Sequence, residues 1–397
     1  MEASEVVAGG GPGDFAVVRH VRLEGTQREI GSSIAGLAWA NHGVRPQRSP
    51  DPALTRARRK WREVHWPQLE ERVRGVADYW DLADDDSTEV ASLPVGFPRA
   101  GCSVVWLPPR RTSSGAATLS RAFDFPALTL NEMLGAPPTD DDEPFCGRPY
   151  VLQTRPASGY STLTITAFEL LAGAVDGINE AGLVAAMLAD DDSTTGGGTP
   201  AGADPAFAPA VGLSEVEFCR YLLETCASAE EALEAARVAR HYYLFHPEHF
   251  LVADRTGRAF VYEFAPGHNT EHVTWADGLQ VLTNHLLYRY PATADLPPGD
   301  GNGRTYARFR TLTSLFSGAG RYSAGQIADR HAAVRFTNPD RPVRTLWYAL
   351  YDTEHCTMNV SFYLCDSDHD EIRTPQLAFS LQPAPAAGPS PHSAATG

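Results

Sequence analysis

The sequence predicts an α+β protein in which antiparallel sheets are covered by helices. Two pairs of short apolar runs are each joined by a turn, which is typical of β-hairpins. The helical segments come in blocks and do not alternate strictly with strands, which disfavours a parallel α/β sheet. The chain has 397 residues, enough for a large core or for two domains.

The composition is that of an acidic globular protein. Apolar residues make up 43% of the chain, and the formal net charge is -16 from 33 basic and 49 acidic residues. Because nucleic acids and anionic membranes attract basic surfaces, we expect no nucleic-acid partner and no membrane association. No apolar run approaches the ~20 residues of a membrane span. The first residues show no secretory signal, so we expect a cytoplasmic location.

The first hundred residues are predicted to be mostly helical. Residues 1–13 are rich in Gly and Ala and are predicted to be disordered. Residues 15–23 alternate loosely between apolar and polar positions, as a strand does. Residues 30–40 and 54–79 have apolar side chains at helical spacing, and Pro67 interrupts the second of these segments.

Strands dominate after residue 101, and helices return in two places. Hairpins are predicted at 102–107 with 117–123 and at 250–253 with 259–264. Capping boxes, Ser214 with Glu217 and Ser228 with Glu231, predict two consecutive helices, and a third helix is expected at 304–316. Further strands are predicted at 160–167, 170–174, 183–188, 279–283, 346–351 and 358–364.

Several segments are interpreted as connections. Residues 176–182 are predicted to form a turn between strands, and residues 190–209 a long loop of a length that is often functional or disordered. Residues 383–397 are predicted to be a disordered tail. Three acidic runs, at 84–86, 140–142 and 190–192, lack the spacing of a known calcium loop and are interpreted as solvated loops.

The six cysteines are widely separated and form no disulfide framework: Cys102, Cys146, Cys219, Cys226, Cys356 and Cys365. Cys219 and Cys226 lie seven residues apart on a predicted helix, so we expect both in the core. One hypothesis is a zinc-dependent hydrolase that uses His355, Cys356, Cys365 and His369, although their spacing matches no common zinc pattern. The favoured interpretation has no metal and no cofactor.

The Gly101-Cys102 step marks the change from helices to strands. Because Gly101 has no Cβ, a thiol at residue 102 can approach the Gly101 carbonyl closely. Cleavage of this bond would free an α-amino group on the residue that carries the thiol. Its ordinary pKa of ~7.7–8.0 suits a general base near neutral pH. Taken alone, the dipeptide also fits a buried strand cysteine that acts as a small hydrophobe.

Six motifs in order resemble a known family, the isopenicillin-N acyltransferase-like, autoproteolytic N-terminal-nucleophile hydrolases, which are related to choloylglycine hydrolase and acid ceramidase. The resemblance extends from about residue 30 to about residue 364. The motifs are the segment 66–77 before the nucleophile, Gly101-Cys102-Ser103, Arg121-Ala122-Phe123-Asp124, the Gly-Ile-Asn-Glu turn at 177–183, Thr283-Asn284-His285, and Thr305-Tyr306-Ala307-Arg308.

The resemblance implies a four-layer αββα sandwich and chemistry on linear amide bonds. It implies cleavage before Cys102, with residues 1–101 (the N-terminal piece) retained beside residues 102–382 (the catalytic core) as an αβ heterodimer. The implied partner is a small-molecule amide or acyl donor, such as acyl-CoA. Hydrolysis and acyl transfer differ only in whether water or an amine takes the acyl group, and the sequence leaves both open.

The resemblance also implies roles for five residues. Cys102 is the nucleophile, and its new α-amino group takes the thiol proton. Asp124 holds that amine, Arg121 orients the thiolate or the substrate carbonyl, and Asn284 donates to the oxyanion. Arg308 matches the late arginine that binds substrate, and Arg304 is the alternative. Residues three apart on a strand lie on opposite faces, so Arg121 and Asp124 share one site only near a bulge or a strand end.

The resemblance departs from the bile-acid-cleaving relatives at Ala189, where those enzymes carry a second asparagine for the oxyanion. Bile-salt-type activity is therefore not expected. This departure and the long loop at 190–209 also fit an alternative, a catalytically inactive binding protein with the same fold. The retained Cys102, Asp124 and Asn284 favour an enzyme. His42 and His285 are expected to pack or hydrogen-bond instead of catalysing.

Overall fold

The structure, a computed structural model, describes residues 2–82, 88–89, 101–133, 135–139, 142–167, 173–193, 210–243, 246–266, 270–338, 342–368 and 370–382. Within these ranges two β-sheets pack face to face, and helices cover both outer faces. This arrangement is the predicted four-layer αββα sandwich. No helix in these ranges is long and apolar enough to cross a membrane.

The nine-stranded sheet has the order β1-β2-β7-β8-β9-β10-β13-β14-β15. All neighbouring strands in it run antiparallel except β2 and β7, which are parallel. Its strands are β1 Glu2–Gly9, β2 Val17–Gly25, β7 Tyr150–Pro156, β8 Thr162–Thr166, β9 Asp176–Asn179, β10 Val184–Ala189, β13 Glu248–Ala253, β14 Ala259–Phe264 and β15 Glu271–Trp275.

The seven-stranded sheet has the order β16-β5-β6-β17-β18-β19, and β20 also pairs with β18. Its strands are β5 Gly101–Leu107, β6 Thr118–Pro126, β16 Gln280–Leu282, β17 Val343–Asp352, β18 Thr357–Asp366, β19 Glu371–Arg373 and β20 Leu377–Ser380. Two short pairs lie outside both sheets: β3 Gln47–Arg48 with β4 Thr88–Glu89, and β11 Leu213–Ser214 with β12 His241–Tyr242.

Eight helices are present in the described part of the chain: α1 Gln27–His42, α2 Pro52–His65, α3 Pro67–Tyr79, α4 Leu130–Met133, α5 Glu215–Thr225, α6 Ala229–Val238, α7 Thr305–Leu315 and α8 Ala324–Ala332. Helix α1 begins with a capping box of Thr26 and Glu29 and ends at Gly43, whose φ of 62° is left-handed. Pro67 starts α3, where its missing N–H is not needed. Both predicted helices with serine caps form, as α5 and α6.

The inner layers meet on the face of β6 that carries Arg121 and Phe123. Phe123 stacks on Trp347 of β17 with ring centroids 3.8 Å apart, and Arg121 reaches Asp176 on the opposite sheet. On the outer face of the nine-stranded sheet, Phe218 of α5 packs against Phe250 of β13. The core therefore lies between the two sheets and under the helices, and β5 lies inside it with all of its residues buried.

The N-terminal piece is built into the nine-stranded sheet. Strand β2 pairs with β7 from Arg19 opposite Tyr150 to Gly25 opposite Pro156, and β1 adds a further strand outside β2. Helix α1 then packs on this edge of the sheet, in a cluster of Val21, Leu23, Ile30, Ile34, Leu37, Tyr150 and Leu152. The prediction that residues 1–13 are disordered is therefore wrong, because residues 2–9 pair as β1.

Two other expectations change. Residues 176–179, predicted as part of a turn, form the buried strand β9, and the turn is confined to the residues that follow it. Asp190 and Asp191, interpreted as solvated, are 1% and 4% exposed. Strands β7, β15, β19 and β20, the two short strand pairs, and helices α4 and α8 were not predicted. The acidic run 84–86, most of the predicted strand 170–174, most of the loop 190–209 and the tail 383–397 lie outside the described residues.

Candidate active site

Cys102 is the second residue of β5, in the centre of the sandwich. It is 2% exposed, and its strand pairs with β16 on one side and β6 on the other. Cys102 lies opposite Phe123, so its thiol faces the space between the sheets. Burial raises the pKa of the thiol, and the nearby Arg121 guanidinium, within hydrogen-bond reach, opposes that rise. The thiol therefore needs a proton acceptor before it can act as a nucleophile.

Arg121 is held in place by a buried carboxylate. Its Nε lies 2.6 Å from Asp176 Oδ2, and neither side chain is exposed to solvent. Its two terminal nitrogens donate to the Ala122 and Met187 carbonyls at 2.6 and 2.8 Å. Trp347 Nε1 and the Tyr351 hydroxyl also donate to Asp176. Asp176, which the sequence pattern placed in a turn, is thus the partner that aims Arg121 at the thiol.

Asn284 binds the backbone nitrogen of the candidate nucleophile. The Cys102 N–H donates to Asn284 Oδ1 at 2.7 Å, and Asn284 Nδ2 donates to the Ala189 carbonyl at 2.7 Å. An amide nitrogen has two hydrogens, and the second one has no partner among the residues that the structure describes. At Ala189, where the sequence lacks a second asparagine, the backbone carbonyl thus accepts a hydrogen bond from Asn284.

Arg308 joins the other groups together. Its Nη1 donates to the Cys102 carbonyl at 2.5 Å and lies 3.4 Å from Asp124 Oδ2. Its Nη2 donates to Asn284 Oδ1 at 2.6 Å. Arg308 is 1% exposed, whereas Arg304 is exposed and is stacked over Phe336. Of the two arginines that the sequence left open, Arg308 is therefore the one inside the site.

Asp124 lies on the other side of β6 from the thiol. It pairs with Gly101 in the strand register, whereas Arg121 shares the inner face with Phe123. A bulge in β17 falls opposite residues 123 and 124, and Thr345 beside it donates to Asp124 Oδ1 at 2.5 Å. In the intact chain Asp124 thus contacts the Cys102 nitrogen through Arg308 and Asn284, and not directly.

A polar network supports the outer side of the nucleophile strand. His331 of α8 bonds the Ser103 hydroxyl at 2.9 Å and the Ser120 hydroxyl at 2.7 Å, and Ser120 also bonds Tyr348 at 2.8 Å. Burial lowers the pKa of His331 to about 3, so its imidazole is neutral at physiological pH. These bonds fix β5 and β6 against α8, which sequence patterns did not reveal.

A buried carboxylate shapes the loop after Asn284. Glu263 accepts from the backbone N–H groups of Leu287 and Tyr288 at 2.7 and 2.9 Å and lies 3.0 Å from His249 Nδ1. The loop that carries Asn284 is therefore tied to β13 and β14.

The two other candidate histidines, and two of the hypothetical zinc ligands, hydrogen-bond to neighbouring groups of the fold. His285 is buried beside Thr283 and Thr305, and burial lowers its pKa to about 3. His42 bonds the Tyr150 hydroxyl at 2.6 Å. Of the hypothetical zinc ligands, His355 bonds Asp352, the Cys356 thiol faces the Glu180 carbonyl, and His369 lies outside the described residues. No group of three metal-ligating side chains occurs in the described ranges.

The four-layer αββα sandwich is the architecture of N-terminal-nucleophile hydrolases. The model of one family, described as acyl-coenzyme A:6-aminopenicillanic acid acyl-transferase, matches residues 139–363, more than half of the chain. The chain belongs to this family, and it is thus an enzyme that hydrolyses amides or transfers acyl groups. The match contains Asn284 and Arg308, whereas Cys102, Arg121 and Asp124 precede it.

Solved structures that resemble the chain include an acylase and a hydrolase. Penicillin V acylase from Agrobacterium tumefaciens is 17% identical, with a TM-score of 0.43, over 66% of this chain and 83% of that one. A mutant of conjugated bile acid hydrolase from Clostridium perfringens is 14% identical, with a TM-score of 0.46, over 70% of this chain and 92% of that one. No curated protein sequence matches the chain.

The Asp124 carboxyl gives a pH-dependent prediction. Burial raises its pKa from 3.8 to about 6, against the opposing effect of Arg308. Between these values the folded chain binds more protons than the unfolded chain, so the free energy of unfolding falls as pH rises. Relative to Cys102→Ala/Asp124→Asn, we expect Cys102→Ala to lose about 2–3 kcal/mol between pH 4 and pH 7. Denaturant titrations at each pH measure this difference.

The control for this experiment is Asp329→Asn in the same Cys102→Ala background. Asp329 is exposed on α8. Its replacement is expected to leave the pH dependence of unfolding unchanged. Parallel stability curves for Cys102→Ala and Cys102→Ala/Asp124→Asn would contradict the raised pKa.

Proposed function

We propose that the protein is a self-processing cysteine enzyme, which cleaves its own Gly101–Cys102 bond and then forms a thioester between Cys102 and the acyl group of a linear amide. The single observation that carries this proposal is the shell around Cys102, in which Arg121, Asn284 and Arg308 all contact one residue. A structural cysteine would need none of these polar neighbours.

Self-cleavage begins with attack of Cys102 Sγ on the Gly101 carbonyl carbon. A bond forms between this carbon and Sγ, the bond to the Cys102 nitrogen breaks, and that nitrogen leaves as an amine carrying the thiol proton. Water then attacks the thioester, which restores the thiol and leaves a carboxylate on Gly101. The new amine starts at Asn284 Oδ1, where the Cys102 N–H already donates.

In the mature enzyme the free amine acts as the base for the thiol. It takes the proton as Sγ attacks the substrate carbonyl and returns it to the leaving amine. Arg121 stabilises the thiolate, and the second N–H of Asn284 Nδ2 donates to the tetrahedral oxyanion. Asp124 holds Arg308, which in turn positions Asn284 and the Cys102 carbonyl. The acyl group then passes to water or to an amine. Because the description of the family names an acyl-coenzyme A, acyl-CoA is one acyl donor to assay.

The contacts across the cleavage point explain why both pieces would stay together. The Arg72 guanidinium of α3 lies 2.5 Å from Glu224 of α5, and both side chains are almost fully buried. Trp66 Nε1 also donates to Glu224 at 2.9 Å, and Arg58 donates to the Ala210 carbonyl at 2.8 Å. Together with β1 and β2, these contacts predict an αβ heterodimer.

Intact-mass measurement of the purified protein tests the proposal. We expect two species, residues 1–101 and residues 102–397, which co-elute in gel filtration and separate in denaturant. A thiol probe at neutral pH should label Cys102 ahead of the other five cysteines. A folded single chain of 397 residues with no selective labelling would instead favour the inactive binding protein.

A further inference from the structure

The backbone of Asn284 is held by a second set of contacts, separate from those of its side chain. Its N–H donates to the Thr305 hydroxyl oxygen at 2.8 Å. Its carbonyl accepts from the Asp191 N–H at 2.8 Å, and the Leu286 N–H donates to Asp192 Oδ2 at 3.0 Å. The Thr305 hydroxyl is thus a side-chain contact of Asn284 that can be removed without changing Asn284 itself.

The Thr305 hydroxyl is itself fixed by Thr283. The two hydroxyl oxygens lie 2.9 Å apart, and Thr283 Oγ1 lies 3.1 Å from the Thr305 carbonyl oxygen. When Thr283 donates to that carbonyl, the Thr305 hydroxyl hydrogen can donate to Thr283 Oγ1. A lone pair of the Thr305 oxygen is then directed at the Asn284 N–H. Both threonines are at most 1% exposed, so bulk water does not compete for these bonds.

The start of α7 holds both parts of Asn284. Thr305 binds the Asn284 backbone N–H, and Arg308, one turn later, donates to Asn284 Oδ1 at 2.6 Å. The chain enters this helix through Gly303 and Arg304, whose φ angles of 51° and 55° are both left-handed. An arginine rarely adopts this conformation, which persists only where the surrounding structure enforces it. The start of α7 is therefore held in one conformation, with Thr305 and Arg308 both directed at Asn284.

Loss of the Thr305 hydroxyl would displace Asn284. Asn284 is fully buried, and a buried N–H without an acceptor is rare in folded proteins because it costs free energy. The segment would therefore shift until this N–H finds another acceptor. Such a shift also moves the side-chain amide, whose second hydrogen serves the oxyanion in the proposed reaction. A misplacement of about 1 Å can cost about a hundredfold in rate.

We propose that Thr305 is a positioning residue, whose hydroxyl fixes the backbone of Asn284 and so directs the Asn284 side-chain amide at the oxyanion of the acyl-transfer step. This inference rests on the proposed Cys102 thioester. It assigns a role to the first residue of the motif Thr305-Tyr306-Ala307-Arg308, of which the proposed mechanism uses only the arginine. Thr305 acts through Asn284 and is not itself catalytic.

Two reactions of the same thiol separate an effect on the oxyanion from an effect on the nucleophile. In acylation by p-nitrophenyl hexanoate, Cys102 Sγ attacks the ester carbonyl, the thiol proton passes to the Cys102 amine, a tetrahedral oxyanion forms, and p-nitrophenolate leaves. In alkylation by iodoacetamide, Sγ displaces iodide from a saturated carbon, and no oxyanion forms. Both rates depend on the thiolate, but only the acylation rate depends on Asn284 as a donor.

Two substitutions of Thr305 separate its hydroxyl from its shape. Thr305→Val keeps the shape and removes the hydroxyl, whereas Thr305→Ser keeps the hydroxyl. Release of p-nitrophenolate and intact mass follow the two reactions in the mature protein, and thermal melts confirm folding. We expect Thr305→Val to be acylated about ten- to a hundredfold more slowly than the wild type and alkylated within about twofold of it, and Thr305→Ser to stay within about threefold in both reactions.

The matched control is Thr353→Val. Thr353 follows β17, is fully buried, and donates its hydroxyl to the Ala117 carbonyl at 2.9 Å. Ala117 precedes β6, at the opposite end of that strand from Asp124. This variant loses a buried threonine hydroxyl of the same kind away from Asn284, so it should keep both wild-type rates.

The outcomes separate the inference from the function on which it rests. A wild type that is neither acylated nor selectively alkylated at Cys102 overturns both. Acylation of Thr305→Val at the wild-type rate overturns the role of Thr305 alone, as does an equal fall in acylation and alkylation or a Thr305→Ser variant as impaired as Thr305→Val. A folded Thr305→Val precursor that never matures, beside a Thr305→Ser precursor that does, supports the role, because Asn284 also binds the Cys102 N–H of the intact chain.

Discussion

Replacement of Cys102 by alanine is expected to leave a single uncleaved chain with no measurable amidase activity. In the proposed mechanism this variant lacks the sulfur that attacks both Gly101 and the substrate. Loss of the nucleophile in another covalent hydrolase reduces kcat about a millionfold, and an effect of this order would put turnover below detection. Intact mass and release of a chromogenic amine measure the two losses separately.

Two further cysteine variants complete this experiment. Cys102→Ser keeps a weaker nucleophile and should cleave slowly. Cys226→Ala removes another buried thiol, at the end of α5, and should cleave and turn over like the wild type. Two fragments from Cys102→Ala would contradict the proposed nucleophile.

Loss of Glu224 is expected to have the largest effect on stability. This carboxylate accepts from Arg72 at 2.5 Å and from Trp66 at 2.9 Å, and it lies 3.8 Å from Arg220. Glu224→Ala leaves Arg72 buried between the two pieces without its counter-charge. Removal of one partner of a buried pair costs about 3–5 kcal/mol, so we expect a loss of this size in the free energy of unfolding.

Denaturant titration measures this loss, and gel filtration at low denaturant shows whether the N-terminal piece separates first. The matched control is Glu230→Gln on α6, which breaks an exposed pair with Arg258 at 2.7 Å. Exposed pairs contribute about 0–1 kcal/mol, so this variant should remain close to the wild type. Equal losses in the two variants would show that burial of the Glu224 pair contributes nothing.

The sequence correctly predicted the secondary-structure elements whose patterns involve residues close together in the chain. Alternating apolar residues and a turn predicted the β5–β6 hairpin, and serine caps predicted α5 and α6. The parallel pairing of β2 with β7 joins segments more than a hundred residues apart, which periodicity does not reveal. The strand around Asp176 was mistaken for a turn because its Asp, Gly and Asn are typical turn residues.

The candidate site was predicted unevenly for a similar reason. Motifs pointed to Cys102, Asn284 and Arg308, which the structure brings into direct contact. They did not point to Phe336 or Thr345, because an isolated phenylalanine or threonine has no distinctive spacing. Their positions depend on tertiary packing against Gly101 and Asp124.

The place of β2 in the nine-stranded sheet has a practical consequence for expression. A recombinant chain that starts directly at Cys102, made to bypass maturation, would leave the whole of β7 without its neighbour on one side. An unpaired edge strand of this kind can pair with other chains and favours aggregation. Such a chain should be recovered in soluble form only when residues 1–101 are co-expressed, so that β2 can pair with β7.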